Sequence, residues 1–126
     1  MTPLNKVLLV DDDRSMNFLS QEILKFMNAA KEILVAEDGL AACQLLDQQK
    51  CPDLIFLDIR MPRMDGFGFL ERMERSGRCK NVRVVMLSSS VRKEDKEKAL
   101  SYSHVVEYCE KPLTEELIAK IADTYF

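Results

Sequence analysis

The chain has 126 residues, of which 47% are apolar and 31% charged, and its formal net charge at pH 7 is −3. This length fits one domain spanning 1–126 with a hydrophobic core of its own. The slight negative charge disfavours direct nucleic-acid binding, which normally needs a basic patch. The N-terminus lacks a signal-peptide pattern and no apolar run is long enough to span a membrane, so we expect a soluble cytoplasmic protein.

Predicted strands and helices alternate along the chain. Continuous apolar runs predict five buried strands, at 4–10, 32–36, 53–58, 82–87 and 105–109. Helical periodicity predicts the intervening and final helices, at 14–28, 39–49, 65–76, 92–102 and 114–125. This strict alternation indicates an α/β fold in which helices cover both faces of a parallel sheet.

The predicted helices differ in how well they are anchored. Asp13, Asp38 and Thr114 stand where N-caps are expected. The fourth helix is mostly charged and offers few apolar anchors, so we expect its packing to be weak. In the first helix the expected apolar face comprises Met16, Leu19, Ile23, Phe26 and Met27.

The cysteine pattern gives no sign of a metal site or a disulfide framework. No two of the four cysteines are spaced as a CxxC pair, and the single His104 cannot complete a zinc site. We therefore expect reduced thiols, partly in the core.

Charged and hydroxyl side chains follow four of the predicted strands. In open α/β sheets ligands bind beyond the carboxyl ends of the strands. Asp11 and Asp12 follow the first strand, Asp58 ends the third, Ser88 follows the fourth and Lys111 the fifth. Three clustered carboxylates repel one another unless a cation lies among them, and hard oxygen ligands suit Mg²⁺. Together Mg²⁺ and Lys111 would balance the three negative charges.

This set of groups is suited to phosphoryl transfer. That reaction needs a positioned nucleophile, a metal and donors aimed at the phosphoryl oxygens. Asp58 is the candidate nucleophile and would form an acyl phosphate. Ser88 and Lys111 can each bind a phosphoryl oxygen, and backbone amides of the two loops can bind the rest.

Four segments carry a resemblance to a known family: LLVDDD (8–13), LIFLDIRMPRMDG (54–66), VMLSSS (85–90) and YCEKP (108–112). In this order and spacing they resemble the receiver domain of two-component response regulators, particularly its single-domain, chemotaxis-type members. The resemblance covers essentially the whole chain. It implies a doubly wound, flavodoxin-like (βα)5 fold with strand order 2-1-3-4-5.

The resemblance also implies a phosphoacceptor and a metal site. Asp58 would accept the phosphoryl group. Asp12 would bind Mg²⁺ directly, Asp11 mostly through water, and Asp58 and the backbone carbonyl of Arg60 would complete the protein's ligands.

The phosphate-binding and switch residues are implied in the same way. Ser88, the backbone amide of Ser89 and the side chain of Lys111 would bind the phosphoryl oxygens. Ser88 would move on activation and Tyr108 would turn inward with it. The peptide bond between Lys111 and Pro112 is expected to be cis.

The partners implied are proteins. The donor would be a phosphohistidine on a sensor histidine kinase or a histidine phosphotransfer protein. A downstream protein, or a second receiver in a phosphorylation-dependent dimer, would dock on the face formed by the fourth helix, fifth strand and fifth helix. Such a chain is a signalling protein rather than an enzyme, and it catalyses only its own phosphorylation and dephosphorylation.

Arg60 and Ser90 depart from common family patterns and are expected to flank the path of attacking water. Two other functions stay open: a receiver-like binding module that takes no phosphate, and a metal-dependent phosphatase with an aspartyl nucleophile. The second usually needs an acid two residues after the nucleophile, where this chain has Arg60. With no output domain or linker in the sequence, we expect a stand-alone regulator rather than a fragment of a longer one.

Overall fold

The computed structural model describes residues 2–126, which build one parallel sheet with helices on both faces. The strand order is β2-β1-β3-β4-β5, which confirms the doubly wound, flavodoxin-like arrangement. The elements in chain order are β1 (Leu4–Val10), α1 (Arg14–Phe26), β2 (Ala30–Ala36), α2 (Gly39–Gln48), β3 (Leu54–Leu57), α3 (Gly66–Ser76), β4 (Arg83–Ser88), α4 (Lys93–Leu100), β5 (Val105–Glu110) and α5 (Glu115–Tyr125).

The core has two layers, one on each face of the sheet. Successive side chains of β1 alternate between them: Leu8 joins the layer under α2 and α3, and Leu9 joins the layer under α1 and α5. All four residues of β3 are buried, since this central strand is covered on both faces. The central strands β1 and β3 are thereby fixed against both layers, and their carboxyl ends are rigid supports for whatever follows them.

The predicted N-caps are confirmed. Asp13, Asp38 and Thr114 each accept a hydrogen bond from a backbone amide in the first turn of α1, α2 and α5 respectively. Asp65 caps α3 in the same way. The helices after β1, β2 and β5 thus begin within a few residues of the strand before them, whereas a longer loop, 58–65, separates β3 from α3.

The expected apolar face of α1 is wrong at two of its five residues, whereas Met16, Ile23 and Met27 are partly buried. Leu19 and Phe26 are 54% and 82% exposed, and the buried residues are Asn17, Ser20 and Leu24. The reason is a hydrogen bond: the Asn17 side chain donates to the carbonyl of Asp11 at 2.8 Å. This bond turns a polar residue inward, and the helix rotates its apolar residues at 19 and 26 toward solvent.

The expectation of reduced thiols is wrong for two of the four cysteines. Cys51 and Cys79 form a disulfide between the segment before β3 and the segment before β4. They are 28 residues apart in sequence, but β3 and β4 are neighbours, so their Cα atoms lie 5.5 Å apart. Cys43 and Cys109 are free thiols, Cys43 buried and Cys109 half-buried.

Across residues 2–126, no helix combines the length and the apolar character needed to cross a membrane.

Candidate phosphoacceptor site

Three carboxylates converge at the carboxyl ends of β1 and β3. One oxygen from each of Asp11, Asp12 and Asp58 lies within 4.8 Å of the other two. The strands β1 and β3 pair directly, and the amide of Asp58 continues the ladder by donating to the carbonyl of Val10 at 2.9 Å. Asp11 and Asp58 are buried and Asp12 is exposed, so the cluster is open to solvent on the Asp12 side.

Lys111 brings a positive charge to this cluster from the end of β5. Its Nζ forms an ion pair with Asp11 Oδ2 at 2.7 Å and donates a hydrogen bond to Asp58 Oδ2 at 3.0 Å. Its amide donates to the carbonyl of Ser88 at 3.0 Å, which ties the ends of β4 and β5 together. The peptide bond from Lys111 to Pro112 is cis, as predicted. A single ammonium group therefore bridges two of the three acids.

The two oxygens of Asp58 are held by different donors. The amide of Ile59 donates to Oδ1 at 2.8 Å, and Lys111 donates to Oδ2. Burial raises the pKa of Asp58 above its ordinary value, and the bond from Lys111 opposes that rise. Burial alone would lower the pKa of Lys111, but its bonds to Asp11 and Asp58 outweigh burial and raise that pKa. The carboxylate is therefore fixed in orientation beside a lysine that stays charged.

The loop from β3 to α3 is shaped by Gly66. The Gly66 amide donates to the carbonyl of Ile59 at 2.8 Å. A Cβ at this position would overlap the carbonyl oxygen of Asp58 and approach the Ile59 Cα to 3.1 Å. Glycine is therefore required for the loop to fold back against the strand that carries Asp58.

The hydroxyl and aromatic residues assigned from sequence also lie at this edge. Ser88 is buried at the end of β4, and its Oγ accepts a hydrogen bond from the Ser90 amide at 3.1 Å. Ser89 is exposed between them. The Tyr108 hydroxyl donates to the Ser90 carbonyl at 3.0 Å, so Tyr108 on β5 is bonded to the loop that follows Ser88.

The donor set fits a divalent cation. Asp11, Asp12 and Asp58 carry three formal negative charges and Lys111 one positive charge, which leaves an excess of about two. All the candidate ligand atoms are oxygens, and one acid is open to solvent, which suits a metal that keeps several of its waters. The cluster is therefore a candidate Mg²⁺ site.

Three polar contacts in this part of the fold were not predicted, although Asp38 itself was expected as an N-cap. Asn17 holds the carbonyl of Asp11, Asp38 forms an ion pair with Arg63 at 2.7 Å, and Asp95 is buried in α4. Asn17 and Ser20 are polar residues one helical turn apart, and this was the signal that α1 turns a polar stripe toward the strand end. Asp95 lies inside the charged run of α4, where sequence offers no way to tell a buried acid from a solvated one.

Comparison with known proteins identifies the family. Residues 7–123 match the family model described as the response regulator receiver domain. The response regulator Rcp1 of Synechocystis sp. is 34% identical over 74% of this chain and 67% of its own length. The transcriptional regulatory protein CpxR of Escherichia coli is 34% identical over 94% of this chain, which spans only 48% of that relative.

Solved structures agree with this assignment. A two-component response regulator from Cytophaga hutchinsonii superposes with a TM-score of 0.90 at 28% identity, covering 98% of both chains. The chemotaxis protein CheY4 of Vibrio cholerae superposes with a TM-score of 0.83 at 25% identity, covering 98% of this chain and 99% of the other. Receiver domains are signalling modules that take phosphoryl groups from histidine kinases, and they are not enzymes in the ordinary sense. This chain belongs to the response regulator receiver domain family.

Proposed function

We propose that this chain is a cytoplasmic, phosphorylation-dependent signalling module that accepts a phosphoryl group on Asp58. The donor is a phosphohistidine of a sensor histidine kinase or histidine phosphotransfer protein, and the reaction requires Mg²⁺. The observation that carries the proposal is the bridging of Asp11 and Asp58 by Lys111, at 2.7 and 3.0 Å, inside a cluster of three carboxylates.

The proposed transfer step uses Asp58 as the nucleophile. An oxygen of Asp58 attacks the phosphorus, the phosphorus–nitrogen bond of the phosphohistidine breaks, and the leaving histidine keeps the electron pair and takes up a proton. Asp11, Asp12, Asp58 and the backbone carbonyl of Arg60 would hold Mg²⁺, and the ion would supply positive charge beside the transferring oxygens.

The protein's own donors complete the site. Lys111 neutralises negative charge that gathers on the phosphoryl oxygens. The Ser88 hydroxyl binds a second oxygen after giving up its present bond with the Ser90 amide, and the Ser89 amide binds a third. Because Tyr108 is bonded to the carbonyl of Ser90, movement of this loop reaches β5 and changes the α4–β5–α5 face that meets the downstream protein.

The test is a mass measurement with matched variants. Incubation with phosphoramidate and Mg²⁺ should add one labile phosphoryl group to the native protein, and none to Asp58→Asn or to native protein with EDTA. Asp13→Asn is the control, because it removes a neighbouring acid but asparagine still caps α1. If the native protein shows no gain in mass from a labile phosphoryl group, a receiver-like module that binds partners without phosphorylation would be favoured.

A further inference from the structure

The first turn of α4 buries a carboxylate. Asp95 and Ala99 are the buried residues of this helix, and the rest of it is charged or exposed. A buried carboxylate is costly unless it is paired and hydrogen-bonded. The docking of α4 on the sheet therefore depends on the partners of Asp95.

The counter-charge comes from the loop that carries the phosphoacceptor. Arg60 Nη2 lies 3.1 Å from Asp95 Oδ2 and 3.4 Å from Oδ1. Arg60 is two residues after Asp58, whereas Asp95 belongs to a helix that follows the next strand. The Arg60 side chain is 60% exposed and the Asp95 side chain 10%, so Arg60 can leave the pair and remain hydrated, whereas Asp95 would be left buried without a counter-charge.

Ser90 joins this ion pair to the residues of the proposed switch. Its hydroxyl donates to Asp95 Oδ2 at 2.7 Å, and its amide donates to Ser88 Oγ at 3.1 Å. Its carbonyl accepts the bond from Tyr108. If the Ser88 hydroxyl moved, the Ser90 amide would lose its hydrogen-bond acceptor, and Ser90 is also the residue whose hydroxyl binds Asp95.

We propose that Asp95 is a positioning residue: with Arg60 and Ser90 it forms a clamp that holds the first turn of α4 in the unphosphorylated protein. The clamp opens when a phosphoryl group on Asp58 competes with Asp95 for Arg60. A phosphoryl group carries nearly two negative charges and attracts a guanidinium more strongly than one carboxylate does. Asp95 then loses its counter-charge and α4 loosens. The opening step, though not the clamp itself, rests on the proposed function of Asp58.

The clamp is tested without phosphate by hydrogen exchange of the backbone amides of residues 93–100, read by mass spectrometry. Arg60→Met should exchange about fivefold faster than native, the effect of losing an ion pair with one exposed partner. Arg63→Met is the matched control, because Arg63 pairs with Asp38 at 2.7 Å with similar exposures of 57% and 8% but does not reach α4. Arg60→Met combined with Asp95→Asn should return exchange toward the native rate. Equal rates in the two single variants would overturn the clamp.

The opening step is tested with phosphoramidate and Mg²⁺, reading the phosphorylated fraction from the mass of the same sample. Exchange at 93–100 should rise about fivefold on phosphorylation in native protein and in the control Asp38→Asn, and this rise should be lost in Asp95→Asn. An equal rise in all three proteins, or no rise in fully phosphorylated native protein, would overturn the opening step. A native protein that gains no mass would overturn the proposed function and the opening step, while the phosphate-free comparison would still decide the clamp.

Discussion

Replacement of Lys111 by methionine tests the electrostatics of the site. The change keeps most of the side-chain length and removes the ammonium that bridges Asp11 and Asp58. Two buried carboxylates would then face each other and the exposed Asp12 without a counter-charge. We expect Lys111→Met to unfold more easily than native protein at pH 7 in the absence of divalent ions.

The size of the loss follows from burial. Removing one partner of a buried ion pair costs about 3–5 kcal/mol. Here the side chain of Lys111 is 14% exposed and those of Asp11 and Asp58 are 9%, so little solvent replaces the lost charge. Asp58, whose pKa is already raised, can take up a proton and relieve part of the repulsion. We therefore expect a loss near the lower end of that range, about 3 kcal/mol.

The assay is urea unfolding followed by far-UV circular dichroism, since the chain has no tryptophan to report by fluorescence. With EDTA the variant should show the full loss of unfolding free energy. With saturating Mg²⁺ about half of that loss should disappear, because Mg²⁺ stabilises the variant, whose acids lack the lysine charge, more than it stabilises the native protein. Lys120→Met is the control: Lys120 binds Glu107 at 2.6 Å but is 62% exposed, so a much smaller loss is expected than for Lys111→Met. Equal losses in the two variants, or a Lys111→Met loss that Mg²⁺ does not reduce, would refute the reasoning.

Three further predictions concern parts of the fold around the site. Gly66→Ala should lower the free energy of unfolding by about 2 kcal/mol because its Cβ meets the Asp58 carbonyl. Gly68→Ala should be tolerated in the same urea assay, because its Cβ meets the movable Met64 side chain at 3.0 Å and otherwise makes ordinary contacts. Reduction of the Cys51–Cys79 disulfide should lower the free energy of unfolding by about 3–4 kcal/mol, because the bond closes a loop between residues 28 positions apart. Alkylation of the unfolded but unreduced protein should modify two thiols and not four. The bond from Lys120 lowers the pKa of Glu107 in the folded protein below its value in the unfolded chain. The stabilisation from this pair is therefore fully present above the unfolded-state pKa and is lost as the pH falls through the folded-state pKa. The difference in unfolding free energy between native protein and Lys120→Met should narrow over that pH window, and a constant difference would contradict the pairing.

The position of the acidic cluster could be predicted from sequence because it depends on backbone topology alone. Apolar runs fix which segments are strands, and the parallel arrangement brings the residues after each strand to one edge. Asp11, Asp58 and Lys111 need only to follow their strands to meet there. No knowledge of side-chain packing enters that step, and the structure brings all three within hydrogen-bonding distance.

Features that depend on how side chains pack were harder to predict. The apolar pattern of α1 placed Leu19 and Phe26 on the buried face, but the structure exposes both, and the buried position nearby is taken by Asn17, which is hydrogen-bonded to the carbonyl of Asp11. The disulfide joins cysteines whose proximity depends on the paths of two loops at the opposite edge of the sheet. Asp95 is one acid in a charged helix, and only the tertiary contact with Arg60 distinguishes it from its neighbours.

The burial of the three acids determines from which side the site can be reached. Asp11 and Asp58 are buried, and Lys111 closes the cluster on the side of β5. Asp12 is exposed, so the open side lies over the segment between β1 and α1. A cation could therefore enter and leave without any strand moving, and under the proposed function a protein donor would approach Asp58 over that same segment. The site is thus held by buried strand ends at Asp11 and Asp58 and is open to solvent at Asp12, as the proposed transfer from a protein donor requires.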